Sequence, residues 1–560
     1  MGVKKTLDKP AKSCYPHPTM RVACLSLLIL CSGLQGGTGV GSPQQSGCAE
    51  LSALRALPAN PACPGPFEVA TVEYDSRTAY PEGVLVDGIS TPVDIWARVS
   101  YPSGFPAGPT PLILLLHGNQ GNGTCPNIDP CNHHEGFQYL MDHLASQGFL
   151  VVSINANRLN GPSFSQITER AQLILEHLKR WRIWATTPEE PFGNAFVGQV
   201  DLTRIGLAGH SRGGEAVIAA YNLNRGSKAP FSIKAVLSFA PTDKEGLSIE
   251  DVPYYAVVPA CDGDVLDYRG VRFFDRALGE LEQRPSPKQL VLAVGANHNY
   301  FNSLWGKDAA GCAGVQLLER AQQETLAKAL SAAFFRRFLW DETALHYLFT
   351  GDQVGPATPA VSLWISYADP AYLMLDDFSR SLGVNVLGGA TTRSGLDQAS
   401  LCGPMHAHPC SVAFVHQTPA LALRWSAPGG AYQTQLPPAR QDVRQFPYLS
   451  FRAAQNSEDL VVDGLMPQGT PLHFNVRLTD AHGQTATVFS EEFAGVPVPI
   501  GSTVLDPQTG KPLRRTVLST FRIPLARFAG LDLSQLASVA FLFDVSDHGS
   551  LYLSHLQFSH

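Results

Sequence analysis

A serine in a glycine-rich turn is the first feature of this sequence that could do chemistry. Ser211 stands at the centre of Gly-His-Ser-Arg-Gly, residues 209–213, directly after the apolar run 205–208 and before the amphipathic stretch 215–224. A Gly-x-Ser-x-Gly segment between a strand and a helix projects the serine hydroxyl from a tight turn. The helix N-terminus then places positive potential beside a developing oxyanion. The sequence therefore predicts Ser211 as a nucleophile that forms an acyl-enzyme.

A serine nucleophile needs a base, and we expect a histidine just after the last buried strand. His298 stands there, in the segment Gly-Ala-Asn-His-Asn at 295–299, directly after the apolar run 290–294. His117 ends an earlier apolar run and suits an oxyanion loop better. Three further histidines are alternatives with no such placement: His133, His134 and His346. We predict His298 as the general base.

Two carboxylates compete to orient this base. The segment Cys-Asp-Gly-Asp at 261–264 follows the apolar run 254–258, so Asp262 and Asp264 both stand at the carboxyl end of a strand. Asp243, after the preceding strand, is a third candidate. We predict Asp264, because the glycine before it permits the turn that would aim its carboxylate at the histidine ring. Its expected role is to fix the histidine tautomer and stabilise the imidazolium without taking the proton.

An oxyanion hole needs two N–H donors. One is expected from the backbone of Arg212, the residue after the nucleophile. The other is expected from the loop 118–121, which follows the apolar run that ends at His117. Asn119 and Gln120 are both candidates there, and the sequence leaves the choice between them open.

These four segments, in this chain order, resemble the α/β-hydrolase superfamily. The sequence is similar to the secreted, lidless serine esterases of that superfamily, which include cutinase-like and dienelactone-hydrolase-like enzymes, over about residues 67–345. The resemblance implies hydrolysis of carboxylic esters by a Ser-His-Asp triad without a cofactor. A serine peptidase or amidase on the same fold is the alternative, because the triad chemistry serves both reactions.

The surrounding elements must position these residues. Six short runs that are apolar along nearly their whole length predict a buried, mostly parallel sheet: 111–117, 149–155, 204–208, 235–239, 254–258 and 290–294. Four amphipathic stretches between or after them predict helices on both faces, and hence an α/β fold: 137–147, 166–181, 215–224 and 317–340. After about residue 360 the pattern changes to short alternating segments, which is typical of an antiparallel β-sandwich.

This C-terminal part resembles the galactose-binding-like, jelly-roll modules of secreted carbohydrate-active enzymes. The resemblance implies a glycan as a partner of the module, and a ligand-free structural sandwich is the alternative. A third functional hypothesis is a glycan-binding or adhesion protein with an inert hydrolase domain. We predict the following units: a signal peptide and leader at 1–41, a linker at 42–66, the catalytic domain at 67–345, a linker at 346–370 and the β-sandwich at 371–560.

The first residues have the layout of a secretory signal peptide. Lys4, Lys5 and Arg21 precede the apolar run 22–31, and small residues follow to position 41. No run of 18 apolar residues occurs, so no transmembrane segment is expected in the mature chain. The net charge of −7 gives no argument for nucleic-acid binding. We therefore expect a secreted protein, or one in the periplasm or at the cell surface.

Cysteine spacing agrees with export. Outside the leader the eight cysteines form four near-neighbour pairs, which predicts disulfides: Cys48, Cys63, Cys125, Cys131, Cys261, Cys312, Cys402 and Cys410. A bond between Cys261 and Cys312 would close a loop that carries both the acid and the base. None of the pairs has the spacing of a structural zinc site.

No cofactor and no metal are expected. Neither a Gly-x-Gly-x-x-Gly nor a Walker sequence occurs, and one acidic and histidine-rich segment lacks ordered ligand spacing: Asp129, His133, His134 and Glu135. The gaps of 53 residues from Ser211 to Asp264 and 34 from Asp264 to His298 leave no room for a large lid. An open site suits bulky or varied esters, including polymeric or surface-bound ones.

Overall fold

A computed structural model of the chain describes most residues from position 60 onward. The described ranges are 60–106, 108–120, 132–161, 166–279, 286–308, 312–351, 361–411, 413–456, 470–505, 510 and 512–560. The predicted signal peptide and leader at 1–41 and most of the linker at 42–66 lie outside these ranges. So do four residues singled out from the sequence: Cys48, Cys125, Asp129 and Cys131.

The first domain is built on one nine-stranded sheet. Its strands are β1 Val69–Asp75, β2 Trp96–Pro102, β3 Thr110–Leu116, β4 Leu150–Ile154, β5 Val200–His210, β6 Ile233–Phe239, β7 Tyr254–Pro259, β8 Lys288–Ala293 and β9 Leu363–Ala368. They are ordered β1-β2-β4-β3-β5-β6-β7-β8-β9. The six strands from β4 to β8 in this order run parallel, and β1, β2 and β9 are antiparallel to their neighbours. Every residue of β3, β4, β7 and β8 is buried, which suits their mostly apolar sequences and includes Lys288 and Gln289 at the start of β8.

Helices cover both faces of this sheet. They are α1 Gln138–Ser146, α2 Ile167–Trp184, α3 Arg212–Arg225, α4 Gly270–Leu278, α5 Arg320–Leu339 and α6 Tyr347–Thr350. The apolar sides of α2, α3 and α4 share one core with the sheet, and those of α1 and α5 share the other. The predicted α/β region around a mostly parallel sheet is therefore confirmed. Within the described residues, no helix is both long enough and apolar enough to span a membrane.

One predicted boundary needs correction. The segment 346–370 was expected to be a linker, but it contains α6 and β9, and β9 pairs with β8 along six residues. The strand was not expected because it joins the sheet antiparallel at the edge, outside the strand–helix alternation on which the prediction relied. The sheet therefore extends to Ala368, and three residues separate β9 from the first strand of the next domain, which begins at Tyr372.

The C-terminal part contains two large antiparallel sheets and a small two-stranded one formed by residues 500–505 and 512–515. Its strands are β10 Tyr372–Asp376, β11 Thr391–Ser394, β12 Gln398–Cys402, β13 Ala420–Trp425, β14 Gly430–Gln435, β15 Tyr448–Gln455, β16 Asn475–Asp480, β17 Thr485–Phe489, β18 Ile500–Leu505, β19 Pro512–Arg515, β20 Ser519–Pro524, β21 Leu536–Phe543 and β22 Gly549–Ser559. One sheet has the order β12-β13-β22-β15-β20, with β10 also on β22, and the other has the order β11-β14-β21-β16-β17. Both contribute to one aromatic-rich core, in which Phe451 of the first sheet lies edge-on to Phe541 of the second at 4.9 Å. This arrangement agrees with the predicted β-sandwich.

A buried charge cluster joins the two domains. The carboxylate of Asp275, on α4, accepts hydrogen bonds from Arg452 at 3.1 Å, from His416 Nδ1 at 3.0 Å and from the backbone N–H of Gln417 at 2.8 Å. Burial alone would favour the neutral acid, but the His416 ring and the Arg452 guanidinium hold the pKa of Asp275 well below its ordinary value. All three side chains are almost fully buried. The sandwich is therefore fixed to the α/β domain by a charged contact.

Replacing Asp275 with alanine is expected to lower the free energy of unfolding by about 3–5 kcal/mol, because it leaves the Arg452 charge buried without a partner. Denaturant unfolding of the full chain measures this loss. Asp251→Ala is the control, since it removes a carboxylate in an exposed ion pair with Arg225 and should cost less than about 1 kcal/mol. Equal losses in the two variants would contradict the importance of the cluster.

Candidate active site

Five loops converge at the carboxyl edge of the parallel strands. They follow β3, β5, β6, β7 and β8, and because parallel strands end at the same edge of a sheet, the loops lie next to one another. They form a cleft of about 510 Å³ whose lining includes Asn119, Gln120, Ser211, Arg212 and Asp264. Five of the residues singled out from the sequence thus line one cleft.

Ser211 occupies a sharp turn between β5 and α3. Its backbone has φ 56° and ψ −123°, a conformation that side-chain-bearing residues rarely adopt. The neighbouring glycines make the turn possible. A Cβ on Gly209 would lie 2.1 Å from the carbonyl oxygen of Gly213, and one on Gly213 would lie 2.3 Å from that of Leu116. The glycine pattern of the motif therefore has a direct steric cause.

His298 is held by a buried carboxylate on the β7 loop. Its Nδ1–H donates to Asp262 Oδ2 at 3.0 Å. The other oxygen of Asp262 accepts the backbone N–H groups of Asp264 at 2.9 Å and Val265 at 2.6 Å. Only 2% of the Asp262 side chain is exposed. Asp262 therefore fixes the tautomer in which Nε2 carries the lone pair.

The expected placement of Asp264 on the orienting side of the ring needs correction. Asp264 Oδ2 lies 3.4 Å from Nε2, the opposite ring nitrogen, and 64% of its side chain is exposed. Backbone contacts explain the difference. The N–H of Cys261 donates to the carbonyl of Ala296 at 2.8 Å, which places the next residue, Asp262, against the base loop. Gly263 then turns Asp264 outward into the cleft. The third candidate, Asp243, bonds Arg276 at 2.7 Å.

The environment of His298 favours its charged form. Burial of the ring disfavours the imidazolium, but the charge and hydrogen bond of Asp262, with the charges of Asp264 and Asp308, outweigh that effect and raise the pKa of His298 to about 9. Within the described part of the chain, Nε2 is buried without a hydrogen-bond partner. This nitrogen is the one through which the ring could exchange a proton with a substrate or nucleophile.

The predicted oxyanion loop lies directly against Ser211. A Cβ on Gly118 would lie 2.6 Å from Ser211 Cβ, so the loop approaches the serine closely. The side chain of Asn119 accepts the N–H of Gly161 at 2.8 Å, and the guanidinium of Arg212 donates to the carbonyl of Gly161 at 3.1 Å. Gly161 thus ties the loop to the start of α3. Asn119 and Gln120 both line the cleft, so both remain candidate donors.

The alternative histidines have other contacts. His117 Nδ1–H donates to the carbonyl of Gly118 at 2.7 Å and its Nε2 accepts the N–H of Ala156 at 2.9 Å, which supports the oxyanion loop. His133 accepts the indole N–H of Trp305. Burial, aided by nearby cations, lowers the pKa of His133 to about 4 and that of His134 to about 3. His346 Nε2 lies 3.4 Å from the Tyr367 hydroxyl.

Asp308 is a site residue that the sequence did not indicate. Its Oδ2 accepts the backbone N–H of Gly263 at 2.6 Å and that of His298 at 3.0 Å, so it joins the loop of the acid to the loop of the base. It also lines the cleft. Nothing in the local sequence around Asp308 distinguishes it from an ordinary loop aspartate, because its partners are backbone N–H groups 45 and 10 residues away along the chain.

Glu215 was also missed as a positioning residue. It stands one helical turn after Ser211 and is fully buried. Its carboxylate accepts the hydroxyl of Thr242 at 2.6 Å and the N–H groups of Lys244 at 2.7 Å and Glu245 at 2.8 Å. The contacts fix the loop after β6 beside Ser211, whose carbonyl accepts the N–H of Thr242 at 3.3 Å. The sequence signal that could have indicated Glu215 is a carboxylate in the first turn of α3, directly after the Gly-x-Ser-x-Gly segment.

Two predicted disulfides are confirmed. Cys261 and Cys312 are bonded across 51 residues, and Cys402 and Cys410 across 8. The first bond begins one residue before Asp262 and therefore supports the contact between the acid and base loops. Cys63 is also disulfide-bonded.

The described residues contain no group of three or more His, Cys, Asp or Glu side chains arranged to hold a metal ion. The arrangement that they do contain is a serine in a strained turn, a buried aspartate–histidine pair and a loop against the serine. No protein-family model matches this chain, and no curated protein sequence matches it significantly.

Proposed function

We propose that this protein is a secreted serine hydrolase of the α/β-hydrolase type that cleaves carboxylic esters through an acyl-enzyme. The observation that carries the proposal is the buried Asp262–His298 pair at the edge where the strained turn presents Ser211. The order of the three residues along the chain, with serine first and histidine last, supports the same assignment. The disulfides support export, since such bonds persist in oxidising compartments.

In this mechanism Ser211 Oγ attacks the ester carbonyl carbon while His298 Nε2 takes the hydroxyl proton. Asp262 keeps the ring in the required tautomer and stabilises the imidazolium. The backbone N–H of Arg212, with that of Asn119 or Gln120, stabilises the negative charge on the carbonyl oxygen. The tetrahedral intermediate collapses, the C–O bond to the alcohol breaks, and His298 returns the proton to the leaving oxygen. Water then hydrolyses the acyl-enzyme by the same steps.

Covalent labelling tests the nucleophile. A fluorophosphonate should label the wild-type chain at Ser211, as mapped by mass spectrometry, and Ser211→Ala should not react. Absence of labelling in the wild-type chain would contradict the proposal and favour a protein with an inert domain. A glycan at the β-sandwich stays a prediction, which glycan-array binding of the full chain would test.

Matched chromogenic substrates test the ester assignment against the amidase alternative. The substrates p-nitrophenyl acetate and p-nitroacetanilide carry the same acyl group, on a leaving oxygen and a leaving nitrogen respectively. We expect the ratio of kcat/KM to the uncatalysed rate constant to be much higher for the ester than for the anilide. A higher value for the anilide would overturn the esterase proposal in favour of a peptidase or amidase.

The raised pKa of His298 predicts an alkaline pH profile. The ring must be neutral to accept the serine proton, so kcat/KM should fall as the pH drops through the pKa of about 9. The rate of p-nitrophenyl acetate hydrolysis from pH 6 to 10, corrected for the enzyme-free rate, measures this fall in kcat/KM. A profile that is already flat above pH 7 would contradict this electrostatic description of the site.

A further inference from the structure

Asp264 has a position that the hydrolytic steps leave unused. Its carboxylate oxygen lies 3.4 Å from His298 Nε2, and its side chain projects into the cleft beside Ser211. Its backbone is fixed, because its N–H donates to Asp262 Oδ1 at 2.9 Å. In the proposed mechanism Nε2 returns the proton to the leaving alcohol. A group this close to Nε2 therefore lies on the leaving-group side of the scissile bond.

The described walls of the cleft are charged and polar, with both signs present. The ionic side chains are Arg212, Lys244, Arg269, Asp264, Asp267 and Asp308. Among the described residues that line the cleft, Val265 alone has an apolar side chain. A hydroxyl group can both donate and accept, so a neutral ligand with several hydroxyls suits such walls. A long acyl chain would gain little here, since each buried CH₂ contributes about 0.8 kcal/mol only against apolar surface.

We infer that the substrates are short-chain esters of polyhydroxylated alcohols, and that Asp264 accepts a hydrogen bond from a hydroxyl adjacent to the leaving oxygen. This inference rests on the proposed function and specifies its substrate class. Asp264 thereby acts in specificity, while Asp262 orients the base. Asp262 bonds Nδ1 of the ring and orients it, whereas Asp264 lies beside Nε2 and binds the alcohol part of the substrate.

The expected selectivity follows from the cost of an unpaired polar group. A site that hydrogen-bonds a substrate hydroxyl rejects an analogue without it, and a bond to a charged partner accounts for roughly ten- to hundredfold in kcat/KM. Because Asp264 is partly exposed to solvent, the lower part of this range is the realistic expectation.

A matched pair of esters tests the inference. Glycerol 1-acetate and n-propyl acetate share an acyl group and a three-carbon alcohol and differ in two hydroxyls. Acetate release by the full chain gives kcat/KM for each, and the readout is their ratio. The wild-type ratio should be at least about ten in favour of the glycerol ester. Asp264→Ala should reduce that ratio to within about threefold of unity. Any change that Asp264→Ala makes in the pKa of His298 affects both esters alike and leaves the ratio unchanged.

Asp442→Ala is the control, because Asp442 is an exposed residue of the sandwich paired with Arg444, and it should keep the wild-type ratio. A wild-type ratio near one would overturn the inference. An unchanged ratio in Asp264→Ala would also overturn it and would assign Asp264 an effect through His298 alone. Failure of the wild-type chain to react with the fluorophosphonate or either ester would instead contradict the proposed function.

Discussion

Ser211→Ala and His298→Ala are each expected to abolish nearly all ester hydrolysis, with a loss in kcat on the order of 10⁶-fold. The double variant should be barely worse than either single one. Without the histidine the serine hydroxyl stays protonated and unreactive, and without the serine the histidine has no nucleophile to activate. Initial rates with p-nitrophenyl acetate, measured at high enzyme concentration, check all three variants.

The control for these variants is His408→Ala, which removes an exposed histidine of the sandwich and should retain full activity. Circular dichroism should show that each variant keeps the wild-type secondary structure. Losses that add in the double variant would mean that Ser211 and His298 act independently, which is incompatible with a triad.

Asp262→Asn is expected to lower kcat by about 10⁴-fold while leaving the fold intact. The amide that replaces the carboxylate can donate to Nδ1, which places the ring proton on Nε2 and removes the base. Asp264→Asn should have a far smaller effect on kcat for p-nitrophenyl acetate, because Asp264 does not bond Nδ1. A larger loss in Asp264→Asn than in Asp262→Asn would show that the carboxylates have been assigned in the wrong order.

The prediction of Ser211 and His298 as nucleophile and base depends on local signals that a sequence carries. A Gly-x-Ser-x-Gly turn requires small residues at fixed places, and His298 follows directly after an apolar run. The choice between Asp262 and Asp264 has no such local signal. It depends on the disulfide to Cys312, on the carboxylate of Asp308 and on the carbonyl of Ala296. These partners are distant along the chain, so only the folded loop decides which carboxylate reaches the ring.

The fold also has features that local sequence signals predict and features that depend on contacts between distant residues. The buried strands were predicted because their residues are apolar on both faces, and observed β4, β6, β7 and β8 lie close to the expected positions. The helix α4 was not predicted, since it is short and begins with a glycine. The interdomain cluster around Asp275 also has no sequence signal, because His416 and Arg452 lie in the other domain and 141 and 177 residues away.

The strained turn at Ser211 has a consequence for how this chain can evolve. A residue other than glycine at φ 56° and ψ −123° costs about 1–3 kcal/mol, which glycine would largely avoid. Selection for stability alone would therefore replace this serine with glycine, and a lineage freed from catalysis would be drawn to that substitution. Under the proposed function, a serine at this position is kept despite the stability that glycine would add, so we expect relatives with glycine here to keep the fold and lack hydrolytic activity.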